Sequence, residues 1–360
     1  MLQRRIQVDI NNKKIEIFCG TGGVGKTTLA TARAMHLAKL GRRVLLITID
    51  PAKRLKQILN LNDDHAGEVE EVALSNFEDA FGEFPGHLDA LLMSPSHTLK
   101  RMGERTNSIK DLDNPILKIL TRPHGGMNEI MATIEVQNRL NDGQYDVIVL
   151  DTPPGKHFMD FLNASQKINQ FFDKTFVEIF KYLGKSIASG IEKEKKGILG
   201  KLVSSGVKKL LGYLEKVTGA EFVDIFVDAV AALYKNRESF LEALNFQDRL
   251  RMKSFSNWFL VTSVEQHKIG EAKDLQEEAV EFMHSDNFLV INKCLQKYLE
   301  AWDEEDPDGQ ILRSSMLERE NELKSFAKTN FQKILEFPEV LGPSPHEHVI
   351  QLTQNWGQLH

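Results

Sequence analysis

A glycine-rich loop near the N-terminus constrains the fold of this chain more than any other segment. Residues 20–28 read Gly-Thr-Gly-Gly-Val-Gly-Lys-Thr-Thr, and they follow an apolar run at 15–19. This order fits the pattern G-x-x-x-x-G-K-[ST], in which a strand enters a phosphate-binding loop (P-loop) and a helix leaves it. The backbone N–H groups of such a loop and the positive end of the helix attract an anion. The sequence therefore predicts an α/β fold with a phosphate site at this turn. A glycine-rich turn that binds nothing is the weaker interpretation.

Most residues of this loop are candidates for contact with a nucleotide. The Lys26 ammonium is expected to reach the β- and γ-phosphates and so to act in catalysis. The Thr27 hydroxyl is expected to bind Mg²⁺. The candidate nucleotide-binding residues are Gly22, Gly23, Val24, Gly25, Lys26, Thr27 and Thr28.

Further apolar runs lie between helical patterns, and each ends at a polar residue. The runs cover 43–49, 146–150, 258–261 and 287–291, and the residues that follow them are Asp50, Asp151, Thr262 and Asn292. Continuous apolar strands that alternate with helices are typical of a parallel sheet covered on both faces. Such sheets bind ligands at the carboxyl ends of their strands. We therefore predict a mostly parallel P-loop sheet with helices on both faces.

The middle of the chain has a different pattern. Between residues 170 and 244 the apolar residues follow helical spacing, and strand signals are few. We interpret roughly 166–245 as a helical insertion, joined by a helical segment at roughly 86–120. The insertion is expected to belong to a single P-loop domain that spans 1–360.

Composition excludes several classes of function. The formal net charge of −6 argues against nucleic-acid binding. Cys19 and Cys294 are the two cysteines, and they form neither a CxxC motif nor an evident disulfide. The N-terminus predicts no signal peptide, and no apolar stretch reaches the length of a membrane span. We expect a cytoplasmic protein whose association with membranes is at most indirect.

Two carboxylates at strand ends are candidates for the chemistry. Asp151 follows four apolar residues, the position at which P-loop proteins place a carboxylate that binds Mg²⁺. Asp50 precedes Pro51, so it suits either orientation of an attacking water or the capping of a helix. The residues alone favour neither role for Asp50.

Asn292 and Lys293 end a late strand, where guanine-reading proteins carry the motif N-K-x-D. The carboxylate of that motif accepts hydrogen bonds from guanine. Here its position is Leu295, so adenine becomes the expected base, with Asn292 as a hydrogen-bonding partner.

These motifs together resemble the ArsA-like ATPases, a family of arsenite-pump ATPases and of ATPases that deliver tail-anchored membrane proteins. The resemblance rests on residues 20–28, 48–52 and 151–154, with His157 shortly after, and it is closest to the bacterial single-domain branch. It implies ATP and ADP as ligands, Mg²⁺ as cofactor, and a nucleotide-bridged dimer that opens after hydrolysis. It also implies that Asp50 orients water, that Thr27 and Asp151 hold Mg²⁺, that Asn292 reads adenine, and that the loop containing Pro338 covers the nucleotide.

The sequence departs from the family pattern at several positions. The family's P-loop usually carries a lysine where this chain has Thr21, and that lysine acts on the phosphates of the partner subunit. A substitute cation (Lys53, Arg54 or Lys156), a paralogous subunit that carries the lysine, or slow hydrolysis would each account for Thr21. The arsenite-binding cysteines and the zinc-binding CxxC pair of the family's branches are also missing.

The sequence therefore predicts an ATPase that acts as a dimeric switch, either a homodimer or a heterodimer, with a protein client or partner. The helical insertion is where the resemblance places a client groove, although a helical-bundle core is the simpler interpretation of its apolar stripes. A weakly or non-hydrolysing subunit paired with a lysine-bearing paralogue is the first alternative. A small-molecule kinase is a further one, for which the sequence offers no acceptor motif.

Overall fold

The computed structural model describes residues 10–49, 53–59, 66–122 and 127–358, without 165, 167, 169–211, 214, 266 and 304. Asp50 and much of the expected helical insertion therefore lie outside the described residues.

The strands of the described chain form one eight-stranded sheet in the order β3-β4-β2-β5-β1-β6-β7-β8. Neighbouring strands run parallel, except that β3 is antiparallel to β4. The prediction of a mostly parallel α/β sheet is confirmed. The strands are β1 (Ile15–Gly20), β2 (Arg43–Thr48), β3 (Val69–Glu71), β4 (His87–Leu92), β5 (Val147–Asp151), β6 (Ser256–Ser263), β7 (Phe288–Cys294) and β8 (Ile334–Pro338).

Helices connect these strands. In chain order the described α-helices are α1 (Lys26–Lys39), α2 (Lys53–Leu59), α3 (Glu78–Phe81), α4 (Pro95–Arg105), α5 (Ile109–Leu112), α6 (Pro115–Leu120), α7 (Asn128–Asp142), α8 (Lys156–Leu162), α9 (Ala220–Lys235), α10 (Arg237–Leu250), α11 (Lys268–Glu278), α12 (Gln296–Ala301), α13 (Pro307–Asn330) and α14 (Pro345–Gln358). No helix among the described residues is long and apolar enough to cross a membrane.

The core lies around β1 and α1, the two elements that hold the P-loop. Every residue of β1 is buried. The Phe18 ring of β1 stacks on Phe259 of β6 at 4.8 Å between centroids, and Trp356 of α14 lies 5.4 Å from Phe259. A buried ion pair joins Arg33 of α1 to Glu16 of β1 at 2.7 Å. These contacts fix the two ends of the P-loop, because both flanking elements are anchored in the same core.

One secondary-structure prediction is wrong in part. The helical segment expected from about residue 86 begins only at Pro95, and His87–Leu92 is strand β4. Leu88, Ala90, Leu91 and Leu92 are buried, and β4 pairs in parallel with β2. Tertiary pairing with β2 therefore overrides the helix-forming tendency of Leu and Ala.

The described residues divide into two compact units. One contains the sheet and comprises the described parts of 1–93, 138–162 and 247–360, and the other comprises those of 94–137 and 163–246. The second unit is helical where it is described. Inside it, the Asn236 side chain accepts a hydrogen bond from Thr106 at 2.6 Å and donates one to Ser108 at 2.9 Å. These bonds join α9 to the turn that follows α4.

Candidate nucleotide-binding site

The P-loop connects β1 to α1 through Thr21–Gly25. Close neighbours require a glycine at each end of this connection, at Gly20 and at Gly25. A Cβ atom on Gly20 would lie 2.2 Å from the carbonyl oxygen of Val261 in β6. Gly25 is the N-cap of α1 with a left-handed φ of 91°, and a Cβ atom there would lie 2.5 Å from the amide nitrogen of Asn292. Larger residues would push the loop away from β6 and β7, so the glycines determine where the loop lies.

Lys26 is the first residue of α1, and its side chain folds back over the loop. Its ammonium donates a hydrogen bond to the carbonyl oxygen of Thr21 at 2.9 Å, and the residue is 7% exposed. The charge therefore lies above the backbone N–H groups of the loop, where the phosphates of a nucleotide would be bound.

Thr27 and Asp151 come together, as the sequence predicted for a Mg²⁺ site. The Thr27 hydroxyl donates a hydrogen bond to Asp151 Oδ2 at 2.7 Å, and Thr48 at the end of β2 donates to the same oxygen at 3.1 Å. Asp151 is 3% exposed and ends β5, which lies between β2 and β1. Hydroxyl and carboxylate oxygens are ligands that Mg²⁺ prefers, so the donor set fits this ion.

The segment after Asp151 is tied to the P-loop strand. The Thr152 hydroxyl donates to the carbonyl oxygen of Phe18 at 2.9 Å, and the Gly155 N–H donates to that of Gly20 at 3.3 Å. These two bonds connect the segment between β5 and α8 to the last residues of β1.

A cavity of about 410 Å³ opens beside the P-loop. Its lining contains many of the residues that the sequence predicted: Gly23, Gly25, Lys26, Thr27, Thr28, Asn292 and Pro338. Gly22 and Val24 do not line it: Gly22 is exposed at the turn, and Val24 is buried beneath it. The lining also includes Glu339 and Val340, which belong to the loop that the resemblance placed over the nucleotide, and three residues to which the sequence analysis gave no binding role: Lys293, His348 and Leu352.

Asn292 lies between the P-loop and the rest of this cavity. Its Nδ2 donates a hydrogen bond to the carbonyl oxygen of Val24 at 2.9 Å, and the residue is 6% exposed. One hydrogen of Nδ2 is used in this bond, and Oδ1 is the atom of the side chain that can accept a hydrogen bond from a ligand. The adjacent Lys293 has a left-handed φ of 61°.

The opposite side of the cavity is formed by the end of β8 and by α14. Pro338 and Val340 contribute apolar surface, and His348 is held by a hydrogen bond between its Nε2 and the carbonyl oxygen of Gly342 at 2.8 Å. Apolar surface from Pro338, Val340 and Leu352 suits the flat face of a nucleobase, and Glu339 and His348 add polar groups beside it. His348 belongs to no sequence motif. It lines the cavity because α14 lies on the side of the sheet that carries the P-loop, and this packing cannot be read from the sequence.

Comparison with known proteins identifies the family. A family model described as anion-transporting ATPase (ArsA ATPase) matches residues 13–312. The chain belongs to the ArsA ATPase family. The resemblance inferred from the motifs is therefore confirmed, and the fold is that of a P-loop protein of an ATPase family.

Relatives within this family include proteins named GET3 and proteins named arsenical pump-driving ATPase. The chain is 30% identical to the ATPase GET3 of Malassezia globosa over 174 residues, which cover 48% of this chain and 47% of that protein. It is 23% identical to the putative arsenical pump-driving ATPase 2 of Aquifex aeolicus over 339 residues, 94% of this chain and 95% of the relative. The chain spans about half the length of the GET3 proteins of Malassezia globosa and Mycosarcoma maydis.

Thr21, which replaces the lysine expected in this family, lies beside the first turn of α11. The Lys268 ammonium, 2.8 Å from Glu271, lowers the pKa of that carboxyl, and Thr21 and His267 contribute to the same lowering. Lys268 is a cation close to Thr21 that the sequence analysis did not consider. The side chains of Lys53, Arg54 and Lys156 lie outside the described residues.

Both cysteines are buried and unreactive in this ATPase fold. Burial raises the pKa of the Cys19 thiol and of the Cys294 thiol to about 12. Each is therefore a neutral thiol at physiological pH, whereas metal binding requires the thiolate. Among the described residues, no group of three or more His, Cys, Asp or Glu side chains is placed to hold a metal ion.

Proposed function

We propose that this protein is a Mg²⁺-dependent ATPase that acts as a nucleotide-driven switch, binding ATP and releasing ADP. The observation that carries the proposal is the hydrogen bond between Thr27 and Asp151, which brings the P-loop and the end of β5 together beside the cavity. Membership of the ArsA ATPase family supports it.

The charged end of the nucleotide would be bound by the P-loop. The N–H groups of the loop and the Lys26 ammonium would bind the β- and γ-phosphates, and Thr27 and Asp151 would hold Mg²⁺, directly or through water. When bound, Mg²⁺ neutralises part of the charge on the phosphate oxygens. Asp50, which follows β2, is proposed to orient the attacking water.

The base would lie between Asn292 and the wall that contains Pro338. Adenine presents an amino group at C6, and the free Oδ1 of Asn292 is an acceptor for that donor. Guanine presents a carbonyl oxygen at the same position, so two acceptors would face each other without a proton between them. This mismatch supports a preference for ATP over GTP.

The proposed switch is a dimer that closes with ATP and opens after hydrolysis, either a homodimer or a heterodimer. The helical unit, inserted into a single ATPase domain, is proposed as the place where a protein client or partner binds. One relative is named a putative arsenical pump-driving ATPase, which suggests an arsenical as the alternative to a protein client. The buried neutral cysteines favour the protein.

The proposal is tested by removing the P-loop ammonium. Lys26→Ala should weaken ATP binding by about tenfold or more, because charge-assisted hydrogen bonds to the phosphates are lost. Calorimetry measures the ATP affinity of this variant beside that of Lys39→Ala, which removes an ammonium from the other end of the same helix. Equal ATP affinity in the wild type and in Lys26→Ala would contradict the assignment of the P-loop.

A second candidate function is a nucleotide-binding subunit with weak or no hydrolysis, which pairs with a lysine-bearing paralogue. Thr21 supports it, because a hydroxyl cannot supply positive charge to a partner's phosphates. Steady-state ATP hydrolysis by the isolated protein, with and without such a paralogue, distinguishes the two functions.

A further inference from the structure

The cavity side of β7 contains an irregularity at the proposed base-reading residue. Ile291 of β7 pairs with Glu336 of β8, and the next pair is Cys294 with Pro338. The interval of three residues from Ile291 to Cys294 therefore lies opposite an interval of two residues from Glu336 to Pro338. The extra residue in β7 makes this a β-bulge. The extra residue lies within Asn292–Lys293, where Lys293 has its left-handed φ. The bulge lies where Asn292 reaches the P-loop, and it interrupts the ladder with β8, while Asn292 stays paired with Ser263 of β6.

A buried carboxylate on α13 holds the backbone that follows the bulge. Glu320 Oε2 accepts a hydrogen bond from the N–H of Leu295 at 2.8 Å, and Oε1 accepts one from the N–H of Gln296 at 3.3 Å. The Glu320 side chain is 4% exposed. The carboxylate thus holds the backbone immediately after β7 ends at Cys294, and it caps the first turn of α12.

Lys324, one turn further along α13, links this carboxylate to β8. Its ammonium lies 2.8 Å from Glu320 Oε1 and 2.7 Å from Glu336 Oε2, and its side chain is 7% exposed. It also donates to the Gln296 side chain at 2.9 Å. Glu336 is the residue of β8 that pairs beside the bulge, two positions before Pro338. One buried ammonium therefore connects the ends of the neighbouring strands β7 and β8, which contribute Asn292 and Pro338 to the lining of the cavity.

We propose that Glu320 and Lys324 are positioning residues of the nucleobase site. They set the separation between Asn292 and the wall at Pro338, and so they determine the affinity and selectivity for the adenine ring. Neither side chain lines the cavity. The inference rests on the proposed function, in that the cavity must bind ATP. A buried ion pair whose only role is stability can often be replaced by apolar residues of similar volume. Here its role is specific, since the carboxylate receives two backbone N–H groups next to the bulge.

The test compares ligands that share the phosphates and differ in the base. Calorimetric affinities for ATP, GTP and inorganic tripolyphosphate are measured for the wild type and for Lys324→Met. The substitution should weaken ATP binding about fivefold to tenfold, the order of one lost hydrogen bond to the base. It should leave tripolyphosphate binding unchanged and reduce the ratio of ATP to GTP affinity. Lys324→Arg, which keeps the charge, should restore much of that ratio.

Lys333→Met is the matched control. Lys333 pairs with Asp286 at the far ends of the same two strands, away from the cavity, so this variant should bind all three ligands as the wild type does. If Lys324→Met does not fold, Glu336→Gln removes one arm of the network at a side chain that is 39% exposed. That variant should show the same selective loss to a smaller extent.

Two outcomes overturn the inference while leaving the proposed function intact. Equal losses of ATP and tripolyphosphate affinity would mean that Lys324 acts only on stability. An unchanged ATP to GTP ratio would mean that the network does not position the base site. A wild type that binds neither ATP nor tripolyphosphate would instead refute the proposed function, and the inference with it.

Discussion

Asp146 immediately precedes strand β5 and Asp151 ends it, which gives a matched pair of carboxylates for a test of the Mg²⁺ site. Asp151 receives the hydroxyls of Thr27 and Thr48, whereas Asp146 pairs with Arg43 at 2.9 Å on the surface. Asp151→Asn keeps the size of the side chain and removes its charge. We expect ATP affinity in the presence of a chelator to stay near that of the wild type, and the increase in affinity on adding Mg²⁺ to fall by about tenfold or more. Calorimetry with and without Mg²⁺ measures both quantities.

Asp146→Asn serves as the control for that experiment and should keep the full effect of Mg²⁺. A Mg²⁺ effect that survives in Asp151→Asn would mean that Asp151 stabilises the P-loop and does not hold the ion.

Individual site residues were predictable where the chemistry lies at the end of a strand. Asp151 and Asn292 each follow an apolar run, and a parallel sheet brings such positions to one edge, whereas Thr27 was placed by the P-loop pattern. The orientation of the Asn292 amide was not predictable, because it depends on a carbonyl oxygen 268 positions earlier in the chain. The Thr48 bond to Asp151 depends on β2 lying next to β5, and strand order cannot be read from one sequence.

At the scale of the elements, strands with continuous apolar runs were found and the others were missed. β1, β2, β5, β6 and β7 are buried along nearly their whole length, so their runs are unambiguous. β8 is an edge strand with only Phe337 fully buried, and its five residues leave too little pattern to recognise. β4 was predicted as helix because its alternation is short and its residues favour helices. Both strands are therefore specified by their neighbours in the sheet.

Helix α1 carries a pH-sensitive group in its last turn. Burial, and then the charges of Arg33 and Lys39, lower the pKa of His36 to about 3. The unfolded chain binds a proton at this histidine below about pH 6.5, whereas the folded chain stays neutral until about pH 3. The contribution of His36 to the free energy of unfolding is thus fully present above about pH 6.5, and it is lost as the pH falls toward about 3. The loss should reach about 2 kcal/mol at pH 5.

Thermal unfolding between pH 7 and pH 5 measures this dependence. His36→Gln should make the unfolding midpoint less dependent on pH, whatever its effect on stability at pH 7. His157→Gln, at a side chain that is 65% exposed, should keep the slope of the wild type. Burial also lowers the pKa of His284. His284 should therefore contribute part of the pH dependence that remains in His36→Gln. A slope that is identical in His36→Gln and in the wild type would show that His36 does not titrate differently on unfolding.

At the scale of the whole molecule, the open question is whether one chain supplies all the charge that ATP hydrolysis needs. Lys26, Thr27, Asn292 and Pro338 of one chain line a single cavity, so we expect one copy to be sufficient for binding ATP. The proposed dimer would add a cation from the partner, and Thr21 cannot be that cation. A homodimer would therefore hydrolyse slowly unless another residue, such as Lys268, supplies the charge.

Thr21→Lys tests this deficit. If the missing charge limits the protein, the variant should hydrolyse ATP at least about tenfold faster, part of the 10³–10⁵ that a charge supplied in trans can contribute. Glu271 lies beside Thr21 and would pair with the new ammonium, so the double variant with Glu271→Gln should gain more than the single one. Hydrolysis rates, and the molecular mass in solution with and without ATP, are measured for the wild type and these variants. Thr329→Lys is the control, because it adds the same charge at an exposed position of α13. Fast turnover by the wild type alone, unchanged in Thr21→Lys and in the double variant, would show that an internal cation already acts and would remove the reason to propose a heterodimer.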